Sequence, residues 1–487
     1  MAEAEPLAPI VVDGHKLSSI SCAVNRWVME KLPTCEANPF HILVHGQAGS
    51  GKSLLLKYIA DGVRSHFGST DSCIVTAPVA IAANLIGGRT IHSTFVLEWG
   101  QVDAKEFMND ATNLKNVTWG KGSKVLLIDN INFVGAVDFA RIDHRLQQVT
   151  GVNKPFGGLS VIVFGDFHQV KPVSSSNQTG AKWIFEVPNK FISYLPAAYQ
   201  AEARKKTPQS PEKLWSLFEI VELESQNWRN KEEQEYFDFM RCGEKEEKLR
   251  KYLNASCFAC LDVNQTQDKL VDVYVQKINN RPAGCYAFLC VKDEIASDLN
   301  NAIVRKLGNE RTFEPKESLG NTHAKNWKPE SKNLMVAIGS PVVLLDNCQH
   351  INAGAIGHVE DITGHEITVR FPSGRLVPIQ RLEYQSGRYS NAMRFKQFPL
   401  SLAYAYTIEK AQGATFDGII LVRNNNWNSK DISIWGNEFH GKLYTAISRC
   451  RKIQNCGITP MEFLQWVCAQ EVTDELERMK RDNSLDI

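Results

Sequence analysis

The segment Gly46–Ser53, which reads Gly-Gln-Ala-Gly-Ser-Gly-Lys-Ser, constrains the fold of this chain more than any other stretch. An apolar run at Phe40–Val44 precedes it, and helical apolar spacing resumes from Leu54 to Ile59. Glycines let backbone amides wrap phosphate oxygens, while Lys52 can reach the terminal phosphates and the Ser53 hydroxyl can coordinate Mg²⁺. A strand, this loop and a helix together predict a binding site for a nucleoside triphosphate. Its predicted residues are Gly46, Gln47, Ala48, Gly49, Ser50, Gly51, Lys52 and Ser53.

Composition and charge are those of an ordinary globular protein. With 487 residues, of which 43% are hydrophobic and 22% charged, the chain is long enough for two or three domains. The formal net charge is +1, so a nucleic-acid partner would need a local basic groove. The acidic N-terminus has no apolar signal core, and no apolar run is long enough to span a bilayer. We therefore expect an intracellular protein with no membrane partner, nuclear if its source is a eukaryote.

The twelve cysteines are scattered along the chain, which is typical of reduced thiols inside a cell. Cys257 and Cys260 form the only Cys-x-x-Cys pair, and Cys285 and Cys290 follow at looser spacing. Four thiolates could hold a zinc ion. Reduced thiols are the favoured interpretation, and a zinc site stays open as the alternative.

Between residue 40 and about residue 185, short apolar runs alternate with turn-rich and helix-like stretches. Near-continuous apolar strands separated by crossovers are typical of a parallel sheet that is covered on both faces. In such sheets, ligands bind at the carboxyl ends of the strands. The predicted strands are Phe40–Val44, Cys73–Ala77, Val125–Asp129 and Val161–Phe164.

A second α/β region follows, with a predicted strand at Cys285–Cys290 and a helix at Asp293–Leu307. Four short β-like runs separated by turns interrupt it and predict a small antiparallel barrel or meander: Pro341–Leu345, His358–Ile362, Glu366–Phe371 and Leu376–Ile379. The α/β pattern returns at Ser401–Val422, and an amphipathic helix is predicted at about Pro460–Arg481. The predicted parts are an N-terminal segment at 1–35, a first ATP-binding domain at 36–209, a second domain at 210–340 and 398–460, a barrel at 341–397 and a C-terminal helix at 461–487.

Asp129 ends the apolar run Val125–Asp129 and is the candidate partner carboxylate for Mg²⁺. The next residue, Asn130, occupies a place where a hydrolytic site usually has a carboxylate that takes a proton from the attacking water. An amide cannot accept that proton, and general-base catalysis typically contributes about 10²–10⁴-fold. Asp166, on a later loop, is the alternative base.

Other polar residues are candidates for contact with the γ-phosphate. Gln169, after the strand Val161–Phe164, could hydrogen-bond the γ-phosphate or the attacking water. Arg229 and Arg449 could stabilise the transferring phosphoryl group from across a cleft, and so could Arg451. Taken alone, each arginine is more commonly a solvated surface residue.

The ordered series of segments resembles the Pif-type helicases of superfamily 1B, which are related to RecD and phage Dda-type enzymes. The resemblance covers about residues 36–455. Its segments are the phosphate loop Gly46–Ser53, a first DNA-contacting motif at Thr76–Ala83 and Ile86–Phe95, a third motif at Gly165–Gln169, an arginine segment at Leu223–Arg229, a barrel entry at Gly339–Leu345 and Asn352–Gly357, a fifth motif at Thr407–Gly413 and a sixth at Tyr444–Cys450.

This resemblance implies an α/β fold of two RecA-like P-loop NTPase domains with parallel sheets and a small β-barrel insertion in the second. ATP would lie in the cleft between the domains, and single-stranded DNA would lie across both. The ATP and Mg²⁺ site would comprise Lys52, Ser53, Asp129, Gln169, Arg229, Arg449, Gln412 and Gly413. The DNA contacts would be Pro78, His92, Ser93, Phe95, Thr407 and Lys410. Phe95 could equally pack in the core, and His92 could be a structural histidine.

The chain departs from the family pattern at several positions. Asn130 replaces the catalytic glutamate, and Ser21 stands where an adenine-reading glutamine is usual. The other departures are Val79, Ala80, Lys171, Glu409 and Ala411.

The leading hypothesis is an ATP-dependent DNA helicase or translocase that moves 5′ to 3′ as a monomer, in DNA repair, recombination or replication. The alternative, which Asn130 motivates, is an ATP-switched DNA-binding protein that hydrolyses slowly or not at all. A P-loop kinase unrelated to DNA would leave the segments Gly87–Phe95 and Thr407–Gly413 unexplained.

Overall fold

The computed structural model describes residues 11–12, 15–97, 117, 119–120, 122–172, 183–186, 214–224, 230–259, 267–278, 284–319, 333–386, 393–422, 441–458 and 468–487. Two parallel sheets dominate these residues, and each is part of a separate α/β unit. The α/β fold class predicted above is confirmed. Arg229 and Cys260 lie outside the described residues.

Within the described ranges, the first sheet has six parallel strands. Its strands, in spatial order, are Arg89–Thr90, Cys73–Ala77, Val125–Ile128, Ser160–Gly165, His41–Gly46 and Glu219–Leu223. The four strands predicted from apolar runs are all present, and each end agrees to within two residues. They are recognisable because both faces of the sheet are covered, so that almost every side chain in a strand is apolar.

Helices cover the two faces of the first sheet: Ser19–Lys31, Lys52–Phe67, Ala80–Leu85, Ile91–Phe95 and Ala136–Thr150. Strand side chains alternate between the faces, since Ile42 and Val44 pack with Leu55 and Ile59, whereas Leu43 packs with the opposite cluster. The helix Ser19–Lys31 packs into the cluster that contains Ile42 and Val44. Ser21 is fully buried there, and its hydroxyl accepts a hydrogen bond from Ser18 at 2.9 Å, so it does not present its side chain to an adenine ring.

The second sheet has five parallel strands in the part of the chain that the structure describes: Ala405–Thr407, Tyr286–Cys290, Gly418–Val422, Cys456–Ile458 and Phe258–Ala259 in spatial order. The helices of this unit are Lys231–Cys242, Glu246–Ser256, Gln267–Ile278, Asp293–Leu307 and Lys442–Ser448. The predicted strand at Cys285–Cys290 and the predicted helix at Asp293–Leu307 are therefore confirmed. Buried clusters lie on both faces of this sheet as well.

An antiparallel region is inserted into the second unit. Its five-stranded sheet runs Leu376–Gln380, Glu366–Arg370, Ile356–Ile362, Pro341–Leu344 and Leu400–Leu402 in spatial order. Smaller antiparallel pairings join Lys316–Leu319, Met393–Gln397 and Leu382–Ser386, and separately Arg311–Phe313 and Leu334–Val336. Within the described part of this region, no ladder joins the two edge strands of the five-stranded sheet, so closure into a barrel stays a prediction.

The last helix, Gln470–Asp482, returns from the second unit and packs on the first. Val472, Leu476 and Met479 belong to the same buried cluster as Phe139, and the Trp215 indole N–H donates to Glu475 at 2.8 Å. The N-terminal part of the helix predicted at 460–481 lies outside the described residues.

None of the helices in the described ranges is long and apolar enough to cross a membrane.

Candidate nucleotide and nucleic-acid site

The phosphate-binding loop joins the strand His41–Gly46 to the helix Lys52–Phe67. Gly49 and Gly51 have φ angles of 85° and 87°, in the left-handed region that favours glycine. The Lys52 ammonium is buried and donates to Gly46 O at 2.6 Å, to Gln47 O at 2.7 Å and to Ser50 Oγ at 3.3 Å. Burial lowers the pKa of Lys52 to about 8, so the group is mainly charged at neutral pH. The loop therefore offers a buried cation and a glycine-shaped cradle, which fit a triphosphate.

Asp129 lies at the carboxyl end of a neighbouring strand and reaches the same loop. Its Oδ2 accepts a hydrogen bond from Ser53 Oγ at 2.7 Å, and its Oδ1 accepts one from the backbone N–H of Asn130 at 2.9 Å. Burial raises the pKa of Asp129, whereas the hydrogen bonds from Ser53 and from the Asn130 backbone act to lower it. A hydroxyl and a carboxylate at this spacing supply the hard oxygen ligands that suit Mg²⁺.

Asn130 follows Asp129 and has φ 52° and ψ 46°. This left-handed conformation is uncommon for residues other than glycine, and asparagine and aspartate adopt it most readily. The Asn130 Nδ2 is buried, and no hydrogen-bond partner for it lies in the described residues. Residue 130 therefore lacks the expected carboxylate and also has to adopt a left-handed backbone conformation.

The two units meet at this site. Gln234 of the second unit donates to the Gln47 side chain at 2.7 Å, and the backbone N–H of Val170 donates to Thr445 Oγ1 at 3.1 Å. Gly441 lies so close to the first unit that a Cβ atom added there would be 2.3 Å from His168 O. The loop that contains Gln169, which is 95% buried, is thus covered by the second unit.

Arg449 lies at the end of the helix Lys442–Ser448 and is buried. Its guanidinium donates to Thr445 O at 3.1 Å and to Ser448 Oγ at 2.9 Å. Its charge acts on the pKa values of both Lys52 and Asp129, which places it within electrostatic reach of the phosphate loop. Arg451, by contrast, has a side chain that is 66% exposed and lies beside Asp417.

Gln412 and Gly413 lie on the second unit at the boundary between the units. Gln412 is fully buried, and neither polar atom of its side chain has a hydrogen-bond partner among the described residues. A Cβ atom added to Gly413 would lie 2.9 Å from the Cβ of Ala82. A Cβ atom added to Gly354 of the inserted region would lie 2.1 Å from Ala80 O, so this glycine also packs closely against the first unit. The helix Ala80–Leu85 therefore touches both the fifth-motif segment and the insertion.

The predicted DNA residues differ in their accessibility. Pro78, His92 and Ser93 are half-buried, and Ser93 Oγ accepts a hydrogen bond from Arg89 at 2.9 Å. Lys410 is exposed and pairs with Asp293 at 2.6 Å, whereas Thr407 is buried and accepts a hydrogen bond from the backbone N–H of Lys410.

Phe95 does not fit the stacking role. It is fully buried, and its ring contacts the edge of Trp119 at a centroid distance of 5.6 Å. A nucleic-acid base cannot reach a ring that is packed in the core, so Phe95 is a packing residue. Residue type alone left both roles open, because a phenylalanine serves either purpose.

A buried charged cluster centred on Asp166 lies beside the phosphate loop, and its members come from distant parts of the sequence. Asp166 is fully buried and accepts hydrogen bonds from Arg241 Nε at 3.1 Å and from the Tyr444 hydroxyl at 2.9 Å. His45 Nε2 lies 3.6 Å from Asp166, and His168 Nδ1 lies 3.2 Å from it. Burial would raise the pKa of Asp166, but Arg241 and His168 hold it well below its usual range. Because its oxygens are occupied in this way, Asp166 is not free to act as the alternative base.

His45 makes the stability of this cluster depend on pH. Burial lowers the pKa of His45 to about 4, and the Arg241 guanidinium adds to this while Glu222 and Asp166 oppose it. The pKa of His45 is thus lower in the folded state, at about 4, than in the unfolded state, at about 6.5. As the pH falls from about 6.5 toward about 4, protonation therefore favours the unfolded state, and the folded protein loses stability. Between about pH 7.5 and about pH 5, we expect the wild type to lose about 2 kcal/mol more unfolding free energy than His45→Gln. Urea unfolding at both pH values measures this difference, and equal losses would contradict the prediction.

Three of the four candidate zinc ligands, Cys257, Cys285 and Cys290, lie in the described part of the chain. Burial raises the pKa values of both Cys290 and Cys456, and Cys456 contacts Cys257 and Cys450. The only group of three candidate metal ligands among the described residues is His45, Asp166 and His168. Cys257, Cys285 and Cys290 therefore do not form a three-ligand set there. Because Cys260 lies outside the described residues, reduced thiols and the zinc alternative both stay predictions.

Comparison with known proteins agrees with the geometry. Residues 23–192 match the family model described as PIF1-like helicase. The ATP-dependent DNA helicase Pif1 of Bdellovibrio bacteriovorus is 27% identical over 423 residues, which are 84% of this chain and 82% of that protein. Human ATP-dependent DNA helicase PIF1 is 24% identical over 461 residues, which are 92% of this chain but only 62% of the human protein.

Among solved structures, the Pif1 helicase from Bacteroides in complex with ADP-AlF3 and single-stranded DNA shares the fold. It has a TM-score of 0.67 and 23% identity, and the match covers 94% of this chain and 96% of that one. The chain is therefore similar to the Pif1 helicases in its family-model match over residues 23–192 and in these two relatives, and it shares the fold of the Bacteroides protein.

Proposed function

We propose that this chain is an ATP-dependent DNA helicase or translocase that couples ATP hydrolysis to movement along single-stranded DNA. The observation that supports it most is that a phosphate loop with Lys52 and Asp129 in one α/β unit faces Arg449 of a second unit. Phosphoryl transfer develops negative charge that such cations stabilise from two sides. A site divided between two bodies also lets nucleotide binding and release move one body relative to the other.

Each residue of the site has a chemical task in this proposal. Lys52 and Arg449 stabilise charge on the phosphates, and Gln169 positions the attacking water or reports the γ-phosphate to its loop. Arg229 would add a further cation. Mg²⁺, for which Ser53 and Asp129 are the fitting ligands, would neutralise phosphate charge.

The proposed DNA path crosses both units. Pro78, His92 and Ser93 of the first unit and Thr407 and Lys410 of the second lie on segments that converge around the helix Ala80–Leu85. Hydroxyls, amides and lysines grip phosphates without reading sequence. The Bacteroides structure that shares this fold contains single-stranded DNA, which supports DNA as the partner. Movement from 5′ to 3′, activity as a monomer and an intracellular location belong to the same proposal.

A second candidate function rests on Asn130. Without a base at this position, nucleotide binding could still order the cleft and change DNA affinity while turnover stays slow. The protein would then act as an ATP-switched DNA-binding protein. The two candidates share the same ligands and differ in the rate of the chemical step.

ATP turnover with and without single-stranded DNA tests the proposal. We expect single-stranded DNA to stimulate turnover by the wild type. Lys52→Ala should lower the rate by about 10²-fold, because it removes a buried cation from the developing charge. Lys251→Ala is the matched control, since this lysine is 73% exposed and pairs with Glu247 on its own helix. If DNA neither binds nor stimulates any variant, the helicase proposal is wrong.

A further inference from the structure

The Tyr444 hydroxyl connects two loops of the first unit with a helix of the second. Tyr444 lies in the helix Lys442–Ser448 and is 2% exposed. Its oxygen accepts a hydrogen bond from the backbone N–H of Ala48 at 2.9 Å and donates one to Asp166 Oδ2 at 2.9 Å. Ala48 belongs to the phosphate loop, whereas Asp166 belongs to the loop that precedes Gln169. One side chain of the second unit therefore contacts both loops at once.

The direction of these hydrogen bonds follows from burial and charge. Burial raises the pKa of Tyr444 well above its usual range, and the Asp166 carboxylate acts in the same direction. The hydroxyl therefore keeps its proton, which it donates to the carboxylate. Its lone pair then accepts from the Ala48 amide, and Ala48 belongs to the loop whose backbone N–H groups are the type that binds phosphates.

Asp166 is held on its other side by the second unit as well. Arg241, on the helix Lys231–Cys242, donates from Nε to Oδ1 at 3.1 Å and to Oδ2 at 3.3 Å. His45, Asp166 and His168 have the composition of a metal site, but the guanidinium already supplies the positive charge there. Tyr444 and Arg241 thus attach the second unit to one buried carboxylate, which fixes the position of the tyrosine hydroxyl.

We propose that Tyr444 is a positioning residue that couples phosphate binding in the loop to the contact between the two units. A phosphate that takes the Ala48 amide competes with the Tyr444 hydroxyl for the same N–H. The second unit then loses one contact with the loop, and Arg449 can be engaged by the phosphate instead. A ligand shifts the equilibrium between two conformations only if it binds one of them more tightly than the other. Here the two conformations are those with and without the contact between Tyr444 and Ala48, and the competition for the Ala48 N–H supplies part of the difference in affinity. This inference rests on the proposed function, because it assumes a phosphate ligand in the loop.

Tyr444→Phe removes the competing hydroxyl, and with it the hydrogen bond to Asp166, while it keeps the aromatic ring. We expect a fluorescent ATP analogue that is not hydrolysed to bind about threefold to tenfold more tightly to the variant, since one hydrogen bond no longer opposes it. We also expect the analogue to change the affinity for a single-stranded oligonucleotide by a smaller factor than in the wild type. Tyr404→Phe is the matched control, because it removes another buried tyrosine hydroxyl, which donates to Ser340 at 3.2 Å, within the second unit.

A merely structural role would give a different result. Unchanged or weaker analogue binding by Tyr444→Phe would overturn the inference, as would tighter binding by Tyr404→Phe to the same degree. Faster hydrogen exchange of the peptide containing Ala48 in Tyr444→Phe, measured without the analogue, is expected, and an unchanged exchange rate would also overturn it. If the wild type bound no DNA, the proposed function would fail, while the analogue affinities would still decide the role of Tyr444.

Discussion

Asn130→Asp should raise ATP turnover by about 10²–10⁴-fold, the usual contribution of a general base. Aspartate has the same shape as asparagine and, like it, tolerates the left-handed conformation at this position, where φ is 52°. The substitution therefore adds a carboxylate beside Asp129 with little backbone strain. Steady-state turnover with saturating single-stranded DNA measures the effect.

Glutamate is a less direct test, although it is the residue that the family pattern has here. A glutamate at this left-handed position would cost about 1–2 kcal/mol, so that gained catalysis and lost stability would be mixed. Asn130→Gln is the control for Asn130→Glu, because it has the same length and the same strain but no base. A wild-type rate that already equals that of Asn130→Asp would contradict the prediction and would require a different proton acceptor.

Arg241→Met should lower the free energy of unfolding by about 3–5 kcal/mol, because it leaves the Asp166 carboxylate buried without its cation. Asp166 is fully buried, and the Arg241 side chain is only 13% exposed, so water cannot replace the lost partner. Asp166→Asn should cost about as much, since the guanidinium would then be the unpaired charge. Urea unfolding followed by circular dichroism measures both variants.

The double variant decides whether the loss comes from the pair. When both charges are removed, neither is left unpaired, and the double variant should be more stable than the sum of the single losses predicts. Arg370→Met is the control, because the Arg370–Glu360 pair has a similar distance of 2.9 Å but lies in solvent, where little or no loss is expected. Additive losses at Arg241 and Asp166 would show that the two side chains stabilise the protein independently.

Much of the architecture could be predicted because its signals are local. The strand Cys73–Ala77 and the helix Asp293–Leu307 have the predicted bounds, since an apolar run or a helical period is determined by neighbouring residues. Gly49, Gly51, Lys52 and Ser53 also lie close together in the chain, so their common role is visible in the sequence.

The charged cluster was not predictable in the same way. Tyr444 and Asp166 are separated by 278 positions, and no local pattern records that their side chains meet. The role of Phe95 depends in the same manner on whether neighbouring elements cover its ring.

The sequence by itself determined the phosphate loop, the Asp129 partner and the absence of a carboxylate at position 130, because each follows from residue identity and short spacing. Only the tertiary structure decided which polar groups are available for chemistry. Asp166 could have been a base by its type, but Arg241 and Tyr444 of the other unit occupy its oxygens. The physical reason is that burial and pairing, which control the protonation and reach of a side chain, arise from elements far apart in the chain.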